Sequence, residues 1–336
     1  MSSRPPIIGI TLGDINGVGP EVTLAAVTRL RPGRTRIVLI GDRRIVAAEA
    51  RRARLPLPPA WTPSDPPVPP AAPVVCWDPE PDPRLRRQPG RCTVRAARAA
   101  ATWLRYGADA ARAGVIDALV TAPIQKEGFH KAGIETPGHT EWLARHLAVA
   151  QVEMMLLAGD LRVVLATRHI PLRAVADALS PAGLKQTIRM TAEALDWLGA
   201  RQRRVAVCGL NPHAGDGGVL GDEEKRWIRP AIRAVRRKGL TLTGPVPADT
   251  VFHQARHGLY DAVIALYHDQ GLAPFKALAF ERGVNLTLGL PIVRTSPDHG
   301  TAYDLAGRGL ADPSSMQAAI RLAIRLARRP NPWRRS

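Results

Sequence analysis

Val205-Ala-Val-Cys-Gly-Leu-Asn-Pro-His-Ala-Gly-Asp-Gly-Gly-Val-Leu-Gly-Asp-Glu-Glu224 joins an apolar run, a glycine-rich turn holding one histidine, and an acidic helix opening. A short continuous apolar run reads as a strand covered on both faces. Glycines directly behind it permit a tight strand-to-helix turn, and Asp222-Glu-Glu224 places negative charge where the dipole of a following helix favours it. The unit recurs along the chain: Ile7–Leu12, Arg36–Ile40, Ala118–Thr121, Met154–Leu157, Arg162–Ala166 and Ala262–Leu266 are further apolar runs of strand length. Their alternation with helical patterns predicts a layered α/β fold with mostly parallel sheets.

Two helices carry legible ends. Ser180-Pro181 offers a cap and a first-turn proline; Leu184, Ile188, Ala192 and Leu195 then share a face until Gly199 stops the helix. Asp312-Pro313 repeats the start signal for a last helix facing inward through Met316, Ile320, Ala323 and Ile324. The segment 56–89 is proline-dominated and reads as a surface excursion, poorly ordered around Ser64 to Pro73 and without a site. The basic end from Arg328 to Ser336 reads as a frayed tail.

The chain has 336 residues, of which 45% are hydrophobic, enough for two medium domains. No apolar run is long enough to cross a bilayer, and Met1-Ser-Ser-Arg-Pro-Pro6 has no secretory apolar region, so the expectation is a cytoplasmic protein without a membrane partner. Cys76, Cys92 and Cys208 are too dispersed for a thiolate zinc site or a redox pair. The formal charge of +18 invites a nucleic-acid reading, but the arginines are scattered and aromatic content is only 4%, which leaves few stacking platforms for bases. No nucleic-acid partner is expected; a field that attracts anionic substrates is.

Three histidines stand in one local setting. His169 follows Val163–Thr167, His213 lies in the turn quoted above, and His268 follows Ala262–Tyr267. Ligands of open α/β sheets collect beyond the carboxyl ends of the strands, so imidazoles distant in sequence can converge there. Three neutral imidazoles can hold a divalent metal with a position open for substrate; singly, each would be an ordinary hydrogen-bonded histidine. Asp269 could orient His268 or add a ligand. His139 and Thr140, in Gly138-His-Thr-Glu141, stand at a helix start where exposed amides suit a phosphate, or where Thr140 merely caps. Lys276 lies in an unusually apolar segment and could bind an anion or move a proton. Asn285 and the strand-end Arg294 suit anion recognition, against the alternative of a surface salt-bridged pair. Gly13-Asp-Ile-Asn-Gly-Val-Gly-Pro-Glu21 is a ligand loop or a plain tight turn; it is neither a dinucleotide fingerprint nor a P-loop.

Taken together, Ile10–Glu21, Thr121-Ala-Pro-Ile-Gln-Lys126, Gly138–Glu141, Leu210–Glu224, Pro247-Ala-Asp-Thr250, Tyr267–Lys276 and Arg294–Asp304 closely resemble the 4-hydroxythreonine-4-phosphate dehydrogenase family of pyridoxal phosphate biosynthesis. The resemblance runs end to end. It implies a two-domain α/β/α fold like that of isopropylmalate dehydrogenase, with 1–138 plus 300–336 as one domain, 139–299 as the other, and a cleft between them. It further implies a homodimer with sites at its interface, a small phosphorylated substrate, NAD or NADP bound without the usual fingerprint, and a divalent metal (Zn, Mg or Mn). His169, His213 and His268 are then the metal ligands, shared between subunits, and His139, Thr140, Lys276, Asn285 and Arg294 the substrate contacts. Asp249 and Lys276 are the candidates for proton handling.

The implied reaction is oxidation of 4-phosphooxy-L-threonine to 2-amino-3-oxo-4-phosphooxybutanoate, which loses carbon dioxide to give 3-amino-2-oxopropyl phosphate. Members of the wider family act on phosphorylated four-carbon sugar acids or aromatic dihydrodiols, so a catabolic oxidation of 4-phospho-D-threonate or 4-phospho-D-erythronate is the competing enzymatic reading. A basic, non-catalytic binding protein is the third. The first loop, Thr11-Leu-Gly-Asp-Ile-Asn-Gly17, departs from the Pro-Gly-Glu-Pro-Ala-Gly of many members.

Overall fold

The computed structural model describes residues 4–30, 35–63, 72–136 and 138–334. The chain divides into two compact units, Met1–Val152 with Leu290–Ser336, and Glu153–Gly289. In chain order the first unit contributes β1 (Ile7–Thr11), α1 (Gly19–Leu30), β2 (Arg36–Ile40), α2 (Arg43–Arg52), β3 (Val74–Trp77), α3 (Val94–Arg112), β4 (Ala118–Thr121), α4 (Lys126–Lys131) and α5 (His139–His146). The second contributes β5 (Glu153–Ala158), β6 (Leu161–Leu165), α6 (Val175–Ala178), α7 (Pro181–Leu198), β7 (Arg204–Cys208), α8 (Arg229–Ala234), β8 (Thr241–Val246), α9 (Ala248–Arg256), β9 (Ala262–Ala265), α10 (His268–Ala279) and β10 (Val284–Leu288). The chain then returns to the first unit as β11 (Arg294–Pro297) and α11 (Ser314–Leu326).

Strands of the first unit lie in the order β3-β2-β1-β4-β11 and pair in parallel. Ile8, Ile10, Ile37, Leu39, Leu119 and Val120 are buried, as continuous apolar strands covered on both faces require. Helix α3 packs on β1 and β4, and α11 on β11 and β4. The turn after β1 depends on Gly13, at φ 66°, where a Cβ would come within 2.3 Å of the Pro123 carbonyl oxygen.

Strands of the second unit lie in the order β10-β5-β6-β9-β7-β8. The pairs β10/β5 and β5/β6 are antiparallel and the others parallel. Leu156, Val163, Leu165, Ala206 and Val263 form a core with Val251, Phe252, Leu272 and Phe275 of α9 and α10. Helix α7 starts where the sequence placed it: the Ser180 hydroxyl accepts from the Gly183 amide at 3.0 Å, and Gly199 ends the helix at φ 74°.

Three expectations need correction. The proline-dominated excursion contains β3, whose Val75, Cys76 and Trp77 are buried against β2; residues 64–71 of the segment expected to be poorly ordered lie outside the described residues. The basic tail is tied down through Arg334: Asn331 donates to the Leu290 carbonyl at 3.0 Å and accepts from the Trp333 amide. The acidic stretch opens a helical segment as expected, Glu224 standing in its first turn, and the Glu224 carboxylate also folds back onto the preceding loop. Finally, residues 139–152 and 290–299, assigned from sequence to the second domain, fall in the first unit, where β11 pairs with β4.

Candidate active site

Two groups of candidate residues form, one in each unit. In the first, β11 opens on Arg294, whose side chain is buried. Its Nη2 and Nε donate to the Thr121 hydroxyl at the end of β4, at 2.7 and 3.2 Å, and Nη1 reaches the Thr140 hydroxyl at 3.5 Å. Thr121 and Thr140 are themselves buried. Desolvation pulls the guanidinium pKa down to about 10, against a smaller upward pull from Glu141, so it remains charged at neutral pH. A cation held largely by neutral hydroxyls in a low-dielectric setting attracts an anion far more strongly than a surface arginine does. His139, the first residue of α5, lies beside this charge. Burial first, then Arg294, holds its imidazole well below the usual histidine range and therefore neutral at pH 7. Gly138 rather than Thr140 takes the cap position of α5, so the Thr140 hydroxyl is committed to Arg294 instead.

In the second unit, His169 after β6 and His268 at the start of α10 bring their rings to 5.6 Å between centroids, tilted by 43°. With Arg168, Ile170, Leu172, Val175, Tyr267 and Asp269 they line a cavity of about 230 Å³. His268 Nδ1 lies 2.7 Å from the Asp269 carboxylate, which leaves Nε2 with its lone pair in the neutral ring, the state a metal ligand requires. Behind His169, Arg168 donates to the buried Glu153 carboxylate at 3.1 Å, and Glu153 also accepts from the Thr187 hydroxyl. His213 is exposed in a loop whose residues 213–217 all have positive φ. Among the described residues no three His, Cys, Asp or Glu side chains gather as a metal site, so the structure brings together two of the three expected ligands. The donor set suits a borderline divalent ion: two adjacent imidazoles, one oriented by a carboxylate. Cys208, beside the loop, does not join it, since burial pushes its thiol up to about 12.

The His213 loop is held by groups that sequence reading did not assign. Glu224 is buried and accepts from the Leu210 and Asn211 amides, both at 2.8 Å, while the Asn211 side chain donates to Glu223 and Glu224. Gln270 accepts from the Leu266 amide at 2.6 Å and donates to the Gly209 carbonyl at 2.7 Å, so one buried amide ties the opening of α10 to the start of the loop. Thr121 was equally unassigned. Its signals are a hydroxyl closing the apolar run Ala118-Leu-Val-Thr121 and its place at the head of the block Thr121-Ala-Pro-Ile-Gln-Lys126.

The remaining candidates stand as follows. Asn285 in β10 pairs with Leu156, and among the described residues its buried side-chain Oδ1 has no hydrogen-bond partner. Lys276 is half-buried on α10, with Nζ 5.6 Å from the centroid of the exposed Phe280 ring. Asp249 is exposed on the first turn of α9 and lines a different cavity, with His253 and His257.

The fold class is shared with isocitrate dehydrogenase from Methylococcus capsulatus, at TM-score 0.52 over 98% of this chain and 88% of that one; with 14% identity the likeness concerns fold alone. Closer comparison is more specific. Residues 34–323 match the family described as pyridoxal phosphate biosynthetic protein PdxA, and the chain belongs to that family. It is 44% identical to the 4-hydroxythreonine-4-phosphate dehydrogenase of Ruegeria sp. over 99% of this chain and all of that one. The crystal structure of 4-hydroxythreonine-4-phosphate dehydrogenase from Klebsiella pneumoniae matches at TM-score 0.83 and 38% identity, covering 97% of this chain and 99% of that chain.

Proposed function

We propose that this protein is an NAD(P)-dependent oxidoreductase that converts 4-phosphooxy-L-threonine to 2-amino-3-oxo-4-phosphooxybutanoate, whose decarboxylation gives 3-amino-2-oxopropyl phosphate for pyridoxine 5′-phosphate synthesis. Family membership and near-full-length identity to dehydrogenases of that name support the reading. The structural observation that carries it is the buried Arg294 guanidinium with the Thr121 and Thr140 hydroxyls and the neutral His139, a group suited to recognising a phosphate. We propose a cytoplasmic homodimer; among the described residues no helix is long and apolar enough to cross a membrane.

Each residue's part follows from its chemistry. Arg294 neutralises the substrate phosphate, and Thr140 and the His139 imidazole supply hydrogen bonds to it. The orphaned Asn285 oxygen accepts from a substrate hydroxyl or ammonium group, which relieves the cost of a buried unsatisfied polar atom. Lys276 binds a substrate anion or, with Asp249 as the alternative, takes the hydroxyl proton as the carbon yields its hydride. His169, His268 and His213 are the proposed metal ligands, His213 reaching the pair through its loop or from a second copy of the chain. A zinc, magnesium or manganese ion held there would supply Lewis acidity toward the reacting oxygen, and a bound nicotinamide would supply the hydride acceptor.

The test is to offer metal-reconstituted protein 4-phosphooxy-L-threonine, 4-phospho-D-threonate and 4-phospho-D-erythronate in parallel and follow NAD(P)H formation. Preference for the amino acid, with an amine in the product, is the expected result. Preference for either sugar acid moves the enzyme to catabolism, and no turnover of any of the three overturns the catalytic reading.

A further inference from the structure

Helix α9 carries a second pair of imidazoles that the chemistry above does not use. His253 on its last turn and His257, which closes it, stand one helical turn apart on the same face, with ring centroids 4.3 Å apart and planes tilted by 39°. His257 Nδ1 lies 2.8 Å from the His253 carbonyl oxygen. A carbonyl can only accept, so Nδ1 carries the hydrogen and Nε2 keeps its lone pair in the neutral ring. That arrangement both selects the ligating tautomer and restrains the ring, as a backbone carbonyl does behind many metal-bound histidines. Both rings are exposed and line a cavity of about 550 Å³ with Asp249, Phe252 and Arg256 of α9 and with Pro274, Ala277 and Leu278 of α10.

We propose that His253 and His257 chelate a divalent transition ion of the zinc class, independently of the His169/His268 site. Two imidazoles one turn apart on a helix are neighbours before any ion arrives, so little ordering is needed to make a two-toothed site. Imidazole donors select zinc, nickel or copper over magnesium and calcium, which demand oxygen ligands. The cavity leaves room for water to complete the coordination. Asp249, one turn earlier, adds negative charge to the approach while Arg256 opposes it, which makes this an exchangeable site rather than a structural one.

The experiment titrates Zn²⁺ into chelator-stripped, full-length protein, reading imidazole NMR resonances and competition with a chromophoric chelator. The proteins compared are the wild type, His253→Gln with His257→Gln, and a chain with His169, His213 and His268 all changed to Gln. Expected is a Zn²⁺-dependent shift of the His253 and His257 resonances in wild type and in the triple variant, with no such shift on Mg²⁺. The double variant should bind one fewer Zn²⁺ per chain than wild type while keeping its circular dichroism spectrum and dehydrogenase activity. The proposal is overturned if those resonances do not respond to Zn²⁺ in either protein, or if the double variant binds as much Zn²⁺ as wild type. Neither reading depends on which substrate is oxidised, so failure here is distinct from failure of the proposed function.

Discussion

Arg294 carries a charge into the interior at a desolvation cost. Its charge is held in the interior by threonine hydroxyls, and desolvation already lowers its pKa to about 10. Removing a buried charge recovers its desolvation cost, which offsets the hydrogen bonds lost to Thr121 and Thr140. Arg294→Met is therefore expected to leave the melting temperature unchanged or raised, while kcat/KM for the phosphorylated substrate falls about a hundredfold, or about 3 kcal/mol. A lower melting temperature with retained kcat/KM would show that the arginine is structural. His139 makes a linked prediction. Its folded pKa lies well below the ordinary 6.5 that the unfolded chain regains, so between those two values the unfolded state binds the extra proton. Stability is then lost as pH falls below about 6.5. His139→Gln should flatten the decline in melting temperature between about pH 7 and pH 5; an unchanged slope would place the imidazole in water. At this scale the sequence was legible where chemistry was unusual for its setting, as with an arginine opening an apolar strand. Thr121 was not, because a threonine in a strand is ordinary until its partner is known.

The elements carry these side chains to their places through contacts that composition does not advertise. The loop from Gly209 to Glu224 was readable as a glycine-rich turn, but its run of positive φ values includes His213, Ala214 and Asp216 as well as Gly215 and Gly217, so glycine freedom alone does not account for it. What holds it is the buried Glu224 carboxylate, expected from sequence to serve a helix dipole, and the Gln270 amide, to which sequence assigned no role. Gln270 needs both ends: its oxygen accepts from Leu266 and its nitrogen donates to Gly209. Gln270→Glu keeps the acceptor but sets a carboxylate oxygen against the Gly209 carbonyl. Metal affinity measured by chelator competition should fall about tenfold or more, as for other groups that orient ligands from behind, with circular dichroism unchanged. Undiminished affinity would mean that the loop finds its position without the bridge. β3 was missed for a related reason: four residues of strand lie inside a proline-dominated segment, and only the parallel neighbour β2 makes them a strand.

For the molecule as a whole, the alternation of apolar runs and helices was sufficient to reach an α/β class with mostly parallel sheets, and the long motif blocks reached the family. Unit boundaries were less legible. They depend on where the chain crosses and recrosses, and the return of β11 to β4 is a long-range pairing with no local signature. The three histidines were found from their common position after strands, yet one chain gathers only His169 and His268 as neighbours. Metal-assisted oxidation by all three is accordingly the claim most worth testing. The measurement is NAD(P)H formation from 4-phosphooxy-L-threonine by chelator-stripped protein before and after a divalent ion is restored, with His213→Ala alongside. The account predicts no turnover when stripped, recovery on adding the ion, and no recovery in the variant; full activity of the stripped protein, or of the variant, would contradict it.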